Sequence, residues 1–302
     1  MKLNIQYLEL LKKITHAFCG NKYCFIFFWF IFYRFSSKKI FVVNYHNTYG
    51  KFKKNFKWQI NFFKQYFIII NYNDFNKSYA HKKKSKKPLL LITFDDGHKS
   101  NYEIAEQILK HENIKAIFFI PFNFINYSWP INLKKQTEIS TKKFNIPCNI
   151  NYEIQDKRKN IAMSWENIIK LHNDGHLIGC HGMNHERLSS KLTNKQLYDE
   201  IFSSKQLLEK KLNTKIETFC WIGGERWAYC SSAHKIIKKA KYKYSFTTCA
   251  QPYNPLKDDK LKIHRFNIET SFSKNQIRAT FSFFYSLLYS LKRSHVNKML
   301  DK

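Results

Sequence analysis

Apolar residues along this chain come in short unbroken runs that stop abruptly at polar or charged positions. The clearest run, residues 89–94 (LLLITF), lacks polar alternation and reads as a strand buried on both faces, as in the interior of a parallel sheet. Pro88 precedes it, where a missing N–H does not break the ladder. Residues 40–49 (IFVVNYHNTY), 116–121 (AIFFIP), 176–180 (HLIGC), 217–221, 244–248 and 261–268 predict further strands. Helical spacing separates several of them. Phe56, Ile60, Phe63 and Phe67 mark one helix, and Ile104, Ile108 and Leu109 another within residues 101–111. Ser164 caps a helix that Gly175 stops, and Thr193-x-x-Gln196 is a capping box before Leu197, Ile201, Leu208 and Leu212. Residues 231–241 are helical as well. Strand–helix–strand crossovers of this length are βαβ units, so residues 40–270 read as one barrel-like α/β domain. Residues 123–162, with Trp129-Pro130 and little periodicity, read as an irregular insertion.

The two ends differ in character. Leu8, Leu10, Leu11 and Ile14 suit one face of a short helix. Residues 24–33 (CFIFFWFIFY) are wholly apolar and aromatic, between Lys22 and the basic Arg34, Lys38 and Lys39. That run is shorter than the roughly 20 residues a bilayer span needs, and no signal-peptide cleavage site follows it. It suits either a helix lying in a membrane interface or a core element. Residues 277–291, with Phe281, Phe283, Phe284, Leu287, Leu288 and Leu291, form either a second interfacial helix or a cover for the barrel. The expected division is an apolar and basic extension over 1–39, the α/β domain over 40–270, and an amphipathic helix and tail over 271–302.

Composition adds two constraints. Lys and Arg total 52 against 22 acidic residues, a net charge of +30. Such a balance favours anionic partners, or a lysine-rich solvated surface in a chain also rich in Asn, Ile and Phe. The basic run HKKKSKK (81–87) is a solvated loop or an anion-binding patch. No nucleic-acid reading motif is present, so no nucleic acid is expected. The seven cysteines form no CxxC pair, and their odd count points to reduced thiols in a cytoplasmic setting.

Chemistry concentrates at strand ends, where α/β proteins place it. Asp95, Asp96 and Gly97 follow the clearest strand: two acids able to serve as base and metal ligand, or an ordinary turn. His181 and His185, spaced i and i+4, follow residues 176–180 and reach a common point from one side of a helical turn. One carboxylate and two imidazoles suit zinc or a similar divalent ion.

TFDDG (93–97), HGMNH (181–185) and the AIFFIP strand resemble the polysaccharide deacetylases of the NodB-homology type, carbohydrate esterase family 4. Residues 163–189 (MSWENIIKLHNDGHLIGCHGMNHERLS) are especially similar, and the resemblance covers residues 40–270. Within the family the chain looks most like circularly permuted members, whose late Leu-x-His motif stands before TFDDG; FVVNYH (41–46) fits that place. The resemblance implies a distorted (β/α)7-type barrel. It implies Asp95 as general base, Asp96, His181 and His185 as ligands of a divalent metal, expected to be zinc, and His46 as the acid that protonates the departing amine. A backbone N–H near Gly223 would meet the oxyanion. The implied substrate is an N-acetylated sugar in a surface polysaccharide or its lipid-linked precursor. The apolar and basic ends suit peripheral contact with an anionic membrane, on its cytoplasmic face. The alternative is a catalytically weak relative that binds acidic glycan or lipid. Cys220-Trp221-Ile222-Gly223-Gly224 departs from the family's third motif: Cys220 replaces its arginine or alanine, so Arg265 is the candidate cationic partner for the base. His98 reads as loop, and His264 as a less favoured acid than His46.

Overall fold

The apolar runs become staves of a single sheet in which every strand pairing is parallel. The computed structural model describes residues 13, 15, 17–36, 39–77 and 87–301. Its strands are β1 (Ile40–Tyr45), β2 (Ile68–Ile70), β3 (Leu89–Phe94), β4 (Ile117–Ile120), β5 (Leu177–Cys180), β6 (Thr218–Cys220), β7 (Tyr244–Thr247), β8 (Ile263–His264) and β9 (Phe266–Asn267). They are ordered β8-β7-β6-β5-β4-β3-β1-β9, with β2 beside β3. Since Arg265 alone separates β8 from β9, this order returns upon itself and makes a nearly closed barrel. The single strand expected over residues 261–268 is in fact divided at Arg265. Its first half serves β7 and its second half β1, so the break is where the barrel closes.

The two-residue period of a strand divides the core into two clusters. Ile40, Val42, Leu89, Leu91, Ile117, Phe119, Phe246 and Ile263 fill the barrel, and Tyr72 and Phe75 of the short helix Tyr72–Asn76 pack against them. Phe41, Val43, Tyr45, Leu90, Ile92, Phe94, Phe118 and Ile120 point outward to the surrounding helices. Phe94 and Phe118 stack there, their ring centroids 4.9 Å apart. The helix Lys53–Tyr66 covers this layer with Phe56, Ile60 and Phe63. Full burial of each such side chain contributes about 1.5–3 kcal/mol. The helix Trp165–Asn173 starts at a capping box between Ser164 and Asn167, and the expected box between Thr193 and Gln196 is also formed.

Two stretches differ from expectation. Residues 123–162 contain most of the helix Phe122–Asn126 and the whole of Leu133–Phe144 and Ile150–Gln155. Periodicity missed the central one because its buried face is largely polar: Gln136, Thr137 and Ser140 precede Phe144. The Gln136 amide donates to the carbonyls of Pro130 and Lys159 and accepts from the Ile161 N–H, which ties the insertion together. At the amino end, Lys22–Ser36 is a helix with Phe25 buried in the core and Phe27 and Phe30 exposed. Among the described residues no helix is long and apolar enough to cross a membrane. The expected face of Leu8, Leu10, Leu11 and Ile14 and the basic residues 81–86 lie outside the described residues.

Gly179 in β5 has no room for a side chain. A Cβ there would stand 2.5 Å from the Phe119 ring and 2.6 Å from the Thr218 hydroxyl. Gly179→Ala is therefore expected to destabilise the barrel by about 1–3 kcal/mol through overpacking. Urea denaturation of the two proteins measures this, and equal midpoints would contradict the packing described.

Candidate active site

Along the staves the inward-facing side chains change from apolar at one end to polar at the other. The β3 column runs Leu89, Leu91, Thr93, Asp95; that of β1 runs Ile40, Val42, Asn44, His46; the closing stave gives Ile263, Arg265, Asn267, Glu269. Strand alternation thus carries charged groups to the carboxyl ends of the barrel, where a cleft of about 640 Å³ opens. His46, Asp95, Asp96, His181, His185 and Gly223 all line it. His264 does not; it bonds Thr247 and faces a separate cleft beside Asn297.

Asp95 and Arg265 form a buried fork. Two guanidinium N–H groups donate to the two carboxylate oxygens, each at 2.7 Å. Arg265 also donates to the Thr93 hydroxyl and, at 2.9 Å, to Cys220 Sγ. Burial opposes ionisation of Asp95, but Arg265, followed by His181 and His46, holds its carboxyl below the usual range. Asp95 is anionic at neutral pH.

Asp96 follows on the opposite parity, which continued extended chain would aim at the surrounding helices. Its left-handed φ of 72°, rare outside glycine, and the 71° of Gly97 reverse the chain instead. Asp96 Oδ1 lies 3.4 Å from His181 Nε2 and 3.2 Å from His185 Nε2. The residues 181–185 are not a helical turn, contrary to the i, i+4 reading; positive φ values at Gly182 and His185 fold the loop so that both rings converge. Each ring's other nitrogen meets a backbone carbonyl: His181 Nδ1 donates to Cys220 at 3.0 Å and His185 Nδ1 to Phe144 at 2.8 Å. Those bonds fix the tautomer and leave the Nε2 lone pairs facing Asp96. Asp96 Oδ1 is buried and has no hydrogen-bond partner. An anionic oxygen and two lone pairs converging without a proton between them fit a divalent cation.

Asp95, His181 and Cys220 also lie close enough to share an ion. That set does not fit one. The Arg265 cation already touches both Asp95 and Cys220, and burial holds the Cys220 thiol well above its usual range and so protonated.

His46 stands across from the base, its Nε2 4.0 Å from Asp95 Oδ2 and its Nδ1 2.8 Å from Glu269 Oε1. Burial works against a charged ring, but Glu269, through its charge and hydrogen bond, and then Asp96 and Asp95 raise it to about 10. The ring is a cation at neutral pH, and 37 % of its side chain is exposed to the cleft. Among the described residues no group accepts a hydrogen bond from the Gly223 N–H. Gly223 has φ 75°.

Sequence reasoning missed the roles of Glu269, His98 and Glu200. Glu269 carries no motif of its own, although it lies two strand repeats after Arg265. His98, read as loop, is buried with Nε2 3.8 Å from Asp96 Oδ2 and is held neutral, lowered by burial to about 4. Glu200 accepts from the backbone N–H groups of Met183 and Asn184 at 2.9 Å and so supports the histidine loop. Asn145, Pro147, Cys148 and Asn149 bring the insertion to the cleft wall.

A nearly closed parallel barrel with catalytic-type side chains at its carboxyl ends defines a NodB-type hydrolase fold. Residues 82–245 match the family model described as polysaccharide deacetylase, and the chain belongs to that family. Its members are metalloenzymes that hydrolyse the N-acetyl groups of polysaccharides. Comparison with curated protein sequences gives no match. Similar solved structures include the Streptococcus pyogenes deacetylase PplD in complex with acetate, at 17 % identity and TM-score 0.59, covering 81 % of this chain and 98 % of that one. A de-N-acetylase from Aggregatibacter actinomycetemcomitans aligns at 14 % identity and TM-score 0.61 over 80 % of this chain and all of its own, 100 %. IcaB from Ammonifex degensii aligns at 18 % and 0.58 over 80 % and 96 %. These likenesses establish a shared fold.

Glu200→Ala would leave the Met183 and Asn184 N–H groups without their acceptor. An unmade bond costs about 1–3 kcal/mol where its donor is fully buried, and these two are half-buried, so a loss of about 1–2 kcal/mol is expected. Denaturant unfolding reads the loss, and amide exchange should quicken at residues 183 and 184; unchanged exchange there would show that Glu200 does not hold the loop.

Proposed function

We propose that this polysaccharide deacetylase is a metal-dependent N-deacetylase of an N-acetylated sugar, in a surface polysaccharide or its lipid-linked precursor. The observation that carries this reading is the convergence of Asp96 and two tautomer-fixed histidines beside an anionic Asp95. Asp96, His181 and His185 would hold the metal, with zinc favoured by the carboxylate and imidazole donors. When bound there, such an ion polarises a carbonyl and lowers the pKa of water.

The protein's own groups divide the remaining work. Asp95, kept anionic by Arg265, accepts a proton from the water that attacks the acetamide carbon. The Gly223 N–H donates to the oxygen as charge develops on it. His46 gives its proton to the nitrogen as the C–N bond breaks. Hydroxyl ends on the acyl carbon and hydrogen on the nitrogen, so acetate and a free amino sugar leave. Glu269 keeps His46 charged and orients it. Asn145, Pro147, Cys148 and Asn149, on the cleft wall, would contact the sugar chain. Seven unpaired cysteines support a reducing, cytoplasmic setting.

Acetate release from N-acetylglucosamine oligosaccharides by zinc-loaded protein tests the roles. Asp95→Asn should lose about 10²–10⁴-fold in rate while still binding one metal equivalent, because it removes the base and spares the ligands. Asp96→Asn should lose the metal as well, read by elemental analysis. Wild-type rates from Asp95→Asn would sink the assignment.

The pH profile tests His46 separately. An acid must be protonated, so activity falls as pH rises through its pKa. Glu269 is foremost among the groups that raise that pKa, and Glu269→Gln should move the high-pH limb of kcat/KM downward. An unmoved limb would detach Glu269 from the proton donor.

A further inference from the structure

Residues 23–31 of the helix Lys22–Ser36 are apolar or aromatic throughout, and among the described residues the barrel covers one side of them. Phe25 packs on Phe62 and Tyr66, and Trp29 on Phe41 and Phe67. Tyr23, Ile26, Phe27, Phe30 and Ile31 follow the i, i+3, i+4, i+7, i+8 spacing of a single face, and all five are exposed, Phe30 by 75 %. The carboxy-terminal helices Phe283–Leu288 and Ser290–Leu300 continue this surface with exposed Phe283, Phe284, Leu287 and Leu291. The Phe28 and Phe284 rings meet edge to face at 5.4 Å, so the two faces form one patch. Beneath it an apolar cavity of about 490 Å³ opens between helix and barrel, lined by Trp29, Phe41 and Phe281 with Lys39 among its walls. Exposed apolar surface this extensive marks a binding face.

Charge identifies what it binds. Residues 10–73 and 270–300 contain no Asp or Glu, so every formal side-chain charge there is positive. Lys22 begins the exposed helix, Arg278 donates to the Gly20 carbonyl, and Lys274 and Arg278 both lie over Trp58. Two copies of this chain meeting through the patch would bring like charges together. Exposed aromatic side chains on segments whose formal charges are all positive match the interface of an anionic bilayer.

We propose that this patch seats the protein on a bilayer containing anionic lipid. Tyr289 and Lys292, between and within the same carboxy-terminal helices, line the active-site cleft, which places the membrane beside the cleft's rim. A membrane-borne glycan then reaches Asp95 from the surface that carries it. That last step rests on the deacetylase reading; the seating itself does not.

Co-sedimentation of the full-length protein with vesicles of phosphatidylcholine alone, or of phosphatidylcholine with phosphatidylglycerol, tests it. The wild type should bind the mixed vesicles, less so as salt rises. The variant combining Phe27→Ser, Phe30→Ser, Leu287→Ser and Leu291→Ser should bind at least about tenfold more weakly, with unchanged acetate release from soluble oligosaccharide. No binding by the wild type, or equal binding by the variant, overturns the proposal. So does a wild-type dimer in sedimentation velocity that the variant abolishes, which would give the patch to a second copy. Vesicle binding lost in the variant, with no acetate released by either protein, supports the seating and removes the deacetylase reading alone.

Discussion

The buried fork between Arg265 and Asp95 is the interaction on which the rest of the site depends. Burying either charge alone would cost several kcal/mol, and only their close bidentate geometry offsets it. Arg265 occupies the one residue between β8 and β9, so the same side chain marks the closure of the barrel and grips the acid at the end of β3. Lysine could not replace it, since one ammonium cannot present two parallel donors to a carboxylate while also reaching Thr93 and Cys220. Closure of the fold and ionisation of the base are therefore one constraint.

Much of this was legible because strands repeat every two residues. The run LLLITF announced β3, and its parity carried directly from Leu91 through Thr93 to Asp95. Arg265 could be suspected as a cation for Asp95 once Cys220 was seen where an arginine or alanine was expected. Glu269 could not be, because nothing local distinguishes it from any surface acid; its meaning comes from a ring partner 223 residues away in sequence. The insertion failed for a different reason. A helix that buries Gln136, Thr137 and Ser140 satisfies its polar atoms internally, and hydrophobic periodicity is blind to that kind of core.

The histidine loop shows how a correct spacing can carry the wrong geometry. Separation by four residues suggested a helical turn, but here Gly182 and His185 adopt left-handed conformations and the loop hangs on the Glu200 carboxylate. A Cβ at residue 182 would stand 2.5 Å from that carboxylate, so the glycine is needed for the close approach as much as for its φ. Rigid backbone support of this kind holds two imidazole nitrogens within 3.4 Å of one carboxylate oxygen, an arrangement free side chains would not keep.

The cleft and the exterior divide the chain's charge between them. Acidic residues are scarce, yet Asp95, Asp96 and Glu269 gather at one mouth, where Arg265 and His46 compensate them locally. The excess positive charge is left to the outside, and no acid interrupts it in the two segments that carry the exposed aromatic face. Local neutralisation matters to that division. A cleft whose carboxylates were unpaired would attract the surrounding lysines and blur both features, whereas opposite charges held a few ångströms apart largely cancel at longer range. The helices after residue 282 connect the two regions physically, with Leu287 and Leu291 on the exposed face and Tyr289 and Lys292 at the cleft. Alternation along that short stretch does for the surface what strand parity does for the barrel: it sends neighbouring residues to opposite tasks.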